Sequence, residues 1–148
     1  MERLEKTMGT ILAVDYGLKR VGLAVSDPGR TFAFPCEVIE NKSFDYLFSQ
    51  INKFILEREV DLILVGMPYN MHKNNSDITK NEMEKNVEHF INKLKKLVTI
   101  PIKVVDERLS SFSAEEKLKE AGVSAKKSKK YIDSEAARLL LEEFLHNL

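Results

Sequence analysis

Three groups of acidic residues follow apolar segments of this 148-residue chain and are its strongest candidates for chemistry. The first is Asp15, the second is the pair Asp106 and Glu107, and the third is Asp133. Carboxylates that pack together resist joint ionisation unless a divalent cation neutralises them. Oxygen ligands suit Mg²⁺ or Mn²⁺, whereas the single cysteine and the three scattered histidines form no zinc set. The sequence therefore predicts a Mg²⁺ or Mn²⁺ site built from these acids.

Each acid also has a simpler interpretation. Asp15 precedes Tyr-Gly and could form an Asx-type turn, and Asp133 could stabilise the start of a helix through the helix dipole. Asp106 and Glu107 are neighbours on one strand, so they point to opposite faces of a sheet and only one can join Asp15. Glu135 is predicted to lie in solvent. The residues alone leave these alternatives open.

The apolar periodicity predicts three short strands followed by alternating helices and strands. The predicted strands cover residues 10–14, 21–26, 31–39, 60–66 and 100–105, and the predicted helices cover residues 44–55, 78–97, 113–121 and 131–148. Pro35 makes the third strand an edge strand, because proline lacks a backbone donor, and Ser43 is the expected N-cap of the first helix. Right-handed crossovers then give an α/β fold, in which a five-stranded mixed sheet has an antiparallel wing, parallel strands and helices on both faces. Binding sites in such sheets form beyond the carboxyl ends of the strands, where these acids lie.

Composition bounds the class of protein. With 43% hydrophobic and 31% charged residues, the chain is predicted to form one globular domain over residues 1–148, with residues 1–8 as a loose extension. Cys36 is the single cysteine, which excludes an internal disulfide framework and indicates a reducing, cytoplasmic location. No apolar run approaches the length of a membrane span, so no membrane partner is expected.

The position of the basic residues, rather than their number, predicts a nucleic-acid partner. The formal net charge is zero, but four lysines occur within residues 126–130 and three other cations flank the acids. These candidates for phosphate contact are Lys19, Arg20, Arg108, Lys126, Lys127, Lys129 and Lys130. Because no aromatic residues are interleaved with them, they favour contact with a nucleic-acid backbone over reading of its bases. A solvated loop is the alternative interpretation of the lysine run.

Four segments of the chain occur in an order that has a known counterpart. They are residues 15–27 (DYGLKRVGLAVSD), residues 65–71 (VGMPYNM), residues 106–110 (DERLS), and Asp133 followed by Ala136 and Ala137. Together they resemble the four motifs of the YqgF (RuvX) family, and the similarity covers the chain from residue 8 onward. One departure lies at residues 72–77, which read His-Lys-Asn-Asn-Ser-Asp where the family usually has a glycine-containing loop. This departure concerns the loop and its substrate contacts and leaves the carboxylate set unchanged.

The resemblance implies a ribonuclease H-like fold and a nuclease that depends on Mg²⁺ or Mn²⁺. It gives the catalytic and metal-binding roles to Asp15, Glu107 and Asp133, with Asp106 as the less certain acid. It also implies processing of the 5′ end of the small-subunit ribosomal RNA precursor, with ribosomal precursor particles as partners. The alternative that it offers is a Holliday junction resolvase acting on branched DNA.

Three further questions stay open from the sequence. A resolvase is expected to act as a homodimer, whereas a monomer core accounts for all the apolar faces. An RNA-binding ribosome-assembly factor with an inactive site would bind RNA without cutting it. An ATP-binding domain of the actin and sugar-kinase type also begins with a strand that ends in Asp and Gly, but such proteins generally enclose their nucleotide between two such domains.

Overall fold

The computed structural model of the protein describes residues 9–69, 81–106 and 125–148, and describes residues 125–134 by their backbone. Several predictions concern segments outside these ranges. They are the extension at residues 1–8, the loop at residues 72–77, the helix at residues 113–121, and the side chains of Glu107 and Arg108.

A five-stranded mixed sheet organises the described chain, as predicted. In chain order the elements are β1 (Thr10–Asp15), β2 (Arg20–Ser26), β3 (Ala33–Glu40), α1 (Phe44–Arg58), β4 (Val60–Met67), α2 (Glu82–Lys95), β5 (Ile102–Asp106) and α3 (Ala125–His146). The strand order is β3-β2-β1-β4-β5. The pairs β3–β2 and β2–β1 are antiparallel, and the pairs β1–β4 and β4–β5 are parallel. Pro35 lies on β3, which is an edge strand of the sheet as predicted.

The two faces of the sheet bury different helices, because successive strand side chains alternate between faces. Leu12 and Val14 of β1 belong to the core cluster that includes buried residues of α1 and α2, and we call this side the α1/α2 face. Ile11 and Ala13 belong to the cluster that includes buried residues of α3, and we call this side the α3 face. Helices therefore cover both faces, as predicted.

The first two helices begin at residues whose side chains cap them. The Ser43 side chain accepts a hydrogen bond from the backbone N–H of Tyr46 at 3.1 Å, so this predicted N-cap is confirmed. Helix α2 begins at Glu82, later than the predicted start at residue 78, because Asn81 is the N-cap. Asn81 accepts a hydrogen bond from the Glu84 backbone at 2.7 Å, and the Glu84 side chain reaches back to the Asn81 N–H. This capping box satisfies two backbone donors that a helix start leaves unpaired.

Helix α3 begins at Ala125 rather than at residue 131, so its predicted start was wrong. The run of lysines at residues 126–130 consequently lies on a helical backbone and not in a loop. Lysine and alanine are good helix formers, which explains the longer helix. No helix in the described part of the chain is long and apolar enough to cross a membrane.

Glu135 was predicted to lie in solvent, and this prediction was wrong. Its side chain is 27% exposed and forms an ion pair with Arg138 one turn along α3. The Arg138 Nη1 also lies 3.0 Å from the Glu142 Oε2. Residues three and four positions apart meet on one side of a helix, so the local spacing creates this network.

The turn between β2 and β3 closes the end of the sheet where β1 starts. The Asp27 side chain accepts hydrogen bonds from the backbone N–H groups of Phe32 at 2.6 Å and Thr31 at 2.8 Å. The bond from Phe32 is the main cause of a lowered pKa of the Asp27 carboxyl. Arg30 lies in the same turn and contacts Asp61 at the start of β4, with 2.6 Å between Nη2 and Oδ1. These contacts brace the end of the sheet that is farthest from Asp15.

Candidate functional site

Asp15 is the last residue of β1 and lies on the α3 face of the sheet. Side chains of β1 alternate, and Asp15 shares the parity of Ile11 and Ala13, which pack with α3. Its residue is half-buried. The strand thus delivers one carboxylate to the carboxyl end of the parallel strands, where sites form in sheets of this type.

Glycines stand beside Asp15 on both neighbouring strands. Gly22 of β2 is its register partner, and Gly66 of β4 lies one residue beyond the pair formed by Val14 and Val65. Directly opposite side chains in a sheet have Cβ atoms about 4.5–5.5 Å apart. Gly22, Asp15 and Gly66 form one row of neighbouring residues across the sheet. Because neither glycine has a Cβ, no side chain of β2 or β4 lies next to the carboxylate in this row. Both glycines lie in segments that the resemblance singled out, but their role beside Asp15 emerges from the register.

The second predicted acid position lies at the end of β5. Lys103 places its Nζ 5.4 Å from the ring centre of Phe144 on α3, and Val105 also packs on the α3 face. Asp106 pairs with Met67, a residue of the α1/α2 core. By this alternation Asp106 is exposed on the face opposite to Asp15. Glu107 is outside the described residues.

Asp133 belongs to α3, the helix that covers the face on which Asp15 lies. Ala136 and Ala137 are buried, and Ala137 packs against the sheet. Their small side chains permit a close approach of the helix to the strands. The Asp133 side chain is outside the described part of the structure.

Within the described ranges, no group of three His, Cys, Asp or Glu side chains is arranged to hold a metal ion. That survey includes Asp15 and Asp106 but not Glu107 or the Asp133 side chain. His89 and His146 are exposed, and His72 lies outside the described residues. Among the described residues at this end of the sheet, Asp15 and Asp106 offer carboxylate oxygens, the kind of ligand that Mg²⁺ and Mn²⁺ prefer.

Two predicted phosphate contacts lie close to Asp15 in the fold. Lys19 is exposed in the turn between β1 and β2. Arg20 is the first residue of β2, and its register partner on β3 is Glu40. Arg20 is two residues from Gly22 in the strand, so its side chain lies on the same α3 face. The lysines at residues 126–130 occupy the first turns of α3, and Arg108 lies outside the described residues.

The turn that carries Lys19 is held in place by Asn41. The Asn41 side-chain amide donates to the carbonyl of Gly17 at 2.9 Å. Its backbone N–H donates to the carbonyl of Lys19, also at 2.9 Å. A Cβ at Gly17 would overlap the carbonyl oxygen of Arg20, so the tight turn requires glycine there. The connection from β3 to α1 therefore fixes the turn beside Asp15.

An aromatic cluster fixes the end of β1 from the other face. Tyr16 stacks on Phe90 of α2, with 4.6 Å between ring centres and 25° between ring planes. Phe90 in turn meets Phe44 of α1 edge-on, with ring centres 6.3 Å apart. Such pairs add about 0.5–1.5 kcal/mol beyond their burial. They hold the backbone next to Asp15 against both helices of the α1/α2 face.

Cys36 is half-buried on β3 and lines a different cleft, which has a volume of about 640 Å³ and also includes Lys53 and Arg58. Burial raises the pKa of its thiol. A thiol whose pKa is raised is a poor nucleophile at neutral pH. This cleft adjoins Thr10 at the start of β1, so it lies away from Asp15.

A protein-family model described as "RuvX: Holliday junction resolvase" matches residues 9–147. The chain belongs to the RuvX family. A protein of Maridesulfovibrio salexigens named "Putative pre-16S rRNA nuclease" is 42% identical over 135 residues, which cover 91% of this chain and 96% of the relative. A protein of the same name from Desulforamulus reducens is 39% identical over 135 residues, which cover 91% and 95%. The family membership that the four motifs predicted is confirmed.

Solved structures share the fold of this RuvX-family chain. RuvC of T. thermophilus in complex with a Holliday junction substrate aligns with a TM-score of 0.57 at 12% identity, covering 94% of this chain and 95% of that chain. The fowlpox virus resolvase in complex with Holliday junction DNA aligns with a TM-score of 0.54 at 12% identity, covering 93% and 97%. The fold is therefore the ribonuclease H-like fold of the RuvC resolvases, as expected.

Sequence reasoning about this RuvX-family chain missed Tyr16 and Asn41. Tyr16 follows Asp15 directly, and its opposite parity was a usable signal that it faces the other core. Asn41 has no such signal, because its hydrogen bond spans 24 residues and depends on how β3 returns beside the first turn.

Proposed function

We propose that this chain is a metal-dependent endonuclease that hydrolyses a phosphodiester bond during processing of the 5′ end of the precursor of 16S ribosomal RNA. The observation that carries the proposal is the position of Asp15, on the α3 face at the carboxyl end of β1, in a chain of the RuvX family. The names of the curated relatives support an RNA precursor as the substrate. Precursor particles of the small ribosomal subunit are the partner that this substrate implies.

The proposed ligands for Mg²⁺ or Mn²⁺ are Asp15, Glu107 and Asp133. Asp106 lies on the opposite face, which favours Glu107, the next residue in the alternation and the one with the parity of Val105. Helix α3, which carries Asp133, packs on the face of Asp15. A bound divalent cation supplies a water molecule of lowered pKa and stabilises the departing oxygen.

The glycine at position 66, which has no side chain, supports this set of three metal ligands. Strand β4 separates β1 from β5, so the two strand axes lie about 10 Å apart. Carboxylates from β1 and β5 can converge on the α3 face only above β4. In the row of Asp15, the β4 residue is Gly66, which leaves no side chain between the two strands.

Residues around Asp15 position it and attract the substrate. Tyr16 and Gly17 fix the backbone that follows the carboxylate. Arg20 lies on the same face, and Lys19 extends from the adjoining turn. The proposed backbone contacts are completed by Arg108, Lys126, Lys127, Lys129 and Lys130. Cations at these places raise the local concentration of a polyanion near the carboxylates.

The test is a cleavage assay with Mg²⁺ on a fluorescent precursor of 16S ribosomal RNA. Asp15→Asn keeps the shape of the side chain and removes its charge, so cleavage is expected to fall at least about 100-fold with RNA binding retained. Glu57→Gln is the matched control, because it removes one exposed carboxylate from α1. Equal cleavage by Asp15→Asn and wild type would refute the site. If wild type binds the RNA and does not cut it, the non-catalytic assembly factor replaces the nuclease.

Branched DNA is the second candidate substrate. It is favoured by the description of the matching family model and by a fold shared with resolvases solved on Holliday junctions. A synthetic four-way junction belongs in the same assay. Paired symmetric cuts in the junction, with no cleavage of the precursor RNA, would make the resolvase the correct function. In that case sedimentation should give a homodimer, since two symmetric cuts need two active sites.

A further inference from the structure

An open cleft of about 750 Å³ lies beside the candidate site and is not part of the proposed metal set. Its walls are the turn between β1 and β2 and the connection from β3 to α1. The lining residues that matter here are Leu18, Lys19, Arg20, Glu40, Asn41 and Lys42. Because β1 and β3 both end at this edge of the sheet, the cleft lies at the same end of the sheet as Asp15, although Asp15 is not one of its lining residues. We call it the turn cleft.

The charge of the turn cleft suits a polyanion. Lys19 and Lys42 are exposed on its two walls. Arg20 and Glu40 are cross-strand partners, so the charge of Glu40 is opposed within the cleft by Arg20. The cleft therefore keeps an excess of positive charge in a chain whose formal net charge is zero.

The two walls are also fixed relative to each other. Asn41 hydrogen bonds from the β3–α1 connection to Gly17 and Lys19 of the turn. These hydrogen bonds fix the backbone of the two walls that carry Lys19 and Lys42. Both lysine side chains are exposed, and the Lys42 Nζ lies 5.1 Å from the ring centre of Tyr46 on α1. Because the two backbone segments are already fixed, binding costs less entropy than ordering two independent surface segments.

Leu18 gives the turn cleft an apolar element. Its side chain is 60% exposed at the turn between β1 and β2. An exposed leucine next to lysines can cover the apolar side of a sugar while the cations contact the phosphates on either side. This combination fits an alternating phosphate and sugar chain better than it fits a free phosphate ion.

We propose that the turn cleft binds the sugar–phosphate backbone of the substrate strand next to the bond that is cleaved. Lys19 and Lys42 contact phosphates, Leu18 packs on a sugar, and Asn41 is a positioning residue that acts through the turn. This inference rests on the proposed function, and it adds three residues that no motif indicated as substrate contacts. RNA and DNA share this backbone chemistry, so both are used in the test.

The test compares two double variants that remove the same charge. Lys19→Gln with Lys42→Gln alters the turn cleft, whereas Lys53→Gln with Lys95→Gln removes two exposed lysines elsewhere. Binding of the precursor RNA is measured by fluorescence anisotropy over a series of salt concentrations. Each lost phosphate contact lowers the slope of log affinity against log salt by about 0.7 on a single strand. In the turn-cleft double variant (the turn-cleft pair) the magnitude of this slope should fall by about 1.4, and in the control double variant (the control pair) it should equal that of wild type.

Two single variants separate the other roles. Leu18→Ser should weaken binding severalfold without changing the salt slope, because it removes an uncharged contact. Asn41→Ala should raise KM for cleavage, whereas kcat and the salt slope of the remaining contacts should change little. Asn41→Ser should have a KM between those of Asn41→Ala and wild type. A parallel fall of kcat and melting temperature in Asn41→Ala would overturn its positioning role.

The outcomes distinguish this inference from the proposed function. If the turn-cleft pair keeps the wild-type slope on both RNA and four-way DNA, the inference is wrong, even when Asp15→Asn abolishes cleavage. If the pair loses slope while Asp15→Asn cuts normally, the cleft still binds the nucleic-acid backbone, but the catalytic assignment and the position of the cleft next to the cleaved bond are both wrong. A slope loss on RNA or on DNA supports the cleft and identifies the strand that occupies it.

Discussion

Replacing Leu141 with alanine tests whether the docking of α3 controls the candidate site. In the described part of α3, the buried side consists of a short apolar stripe. Its members are Ala136, Ala137, Leu140 and Leu141. Leu141 is 0% exposed and packs with residues of β1, β2 and β4 on the α3 face. A leucine-to-alanine change at such a position removes apolar burial and leaves a cavity, which costs about 2–5 kcal/mol.

The functional consequence follows from what α3 carries. Asp133 lies two turns before Leu141 on the same helix, so a loosened helix displaces one proposed metal ligand relative to Asp15. Leu47→Ala is the matched control, because Leu47 is also 0% exposed but belongs to α1 on the opposite face. Both variants should lose similar free energy of unfolding, and Leu141→Ala alone should lose most of its cleavage.

Urea unfolding, monitored by circular dichroism, measures the free energy of unfolding of each variant. A loss of about 3 kcal/mol corresponds to a fall in melting temperature of about 6–12 °C for a chain of this size. Cleavage is then compared at a temperature where both variants are folded, and hydrogen exchange reports the opening of α3. Equal cleavage by Leu141→Ala and Leu47→Ala at equal stability would refute the link between α3 packing and the site.

Two further predictions concern the part of the fold that holds β1. Ser26→Ala removes the hydroxyl that accepts a hydrogen bond from the buried Ile11 N–H at 2.9 Å, so thermal unfolding should show a loss of about 1–3 kcal/mol in the free energy of unfolding. Ser49→Ala on the exposed side of α1 is the control, and an equal loss in both variants would contradict the reasoning. Asp27→Asn should lower stability at pH 7, because the lowered pKa of Asp27 stabilises the fold above its unfolded pKa of about 3.9. That advantage of wild type is lost as pH falls through the folded pKa of Asp27, and urea titrations in which it persists at pH 2 would show the assignment to be wrong.

The sequence by itself determined the order of the described strands and helices and placed the candidate acids at strand ends. Periodicity located the five strands, Pro35 marked the edge strand, and Ser43 marked the start of α1. These signals are local, because proline lacks a donor and serine accepts a backbone hydrogen bond in any fold. The same local chemistry was available for α2, where Asn81 and Glu84 form a capping box that periodicity alone did not reveal.

Tertiary structure decided what stands next to Asp15. The position of Asp15 at a strand end could be predicted from the sequence. Strand register decided the rest: its place on the α3 face, its glycine neighbours on β2 and β4, and its separation from Asp106. Asn41 reaches the first turn across 24 residues, which no local pattern encodes. Register and face are set by packing between segments that are distant in the chain. The sequence therefore named the acid, and the assembled sheet determined its neighbours.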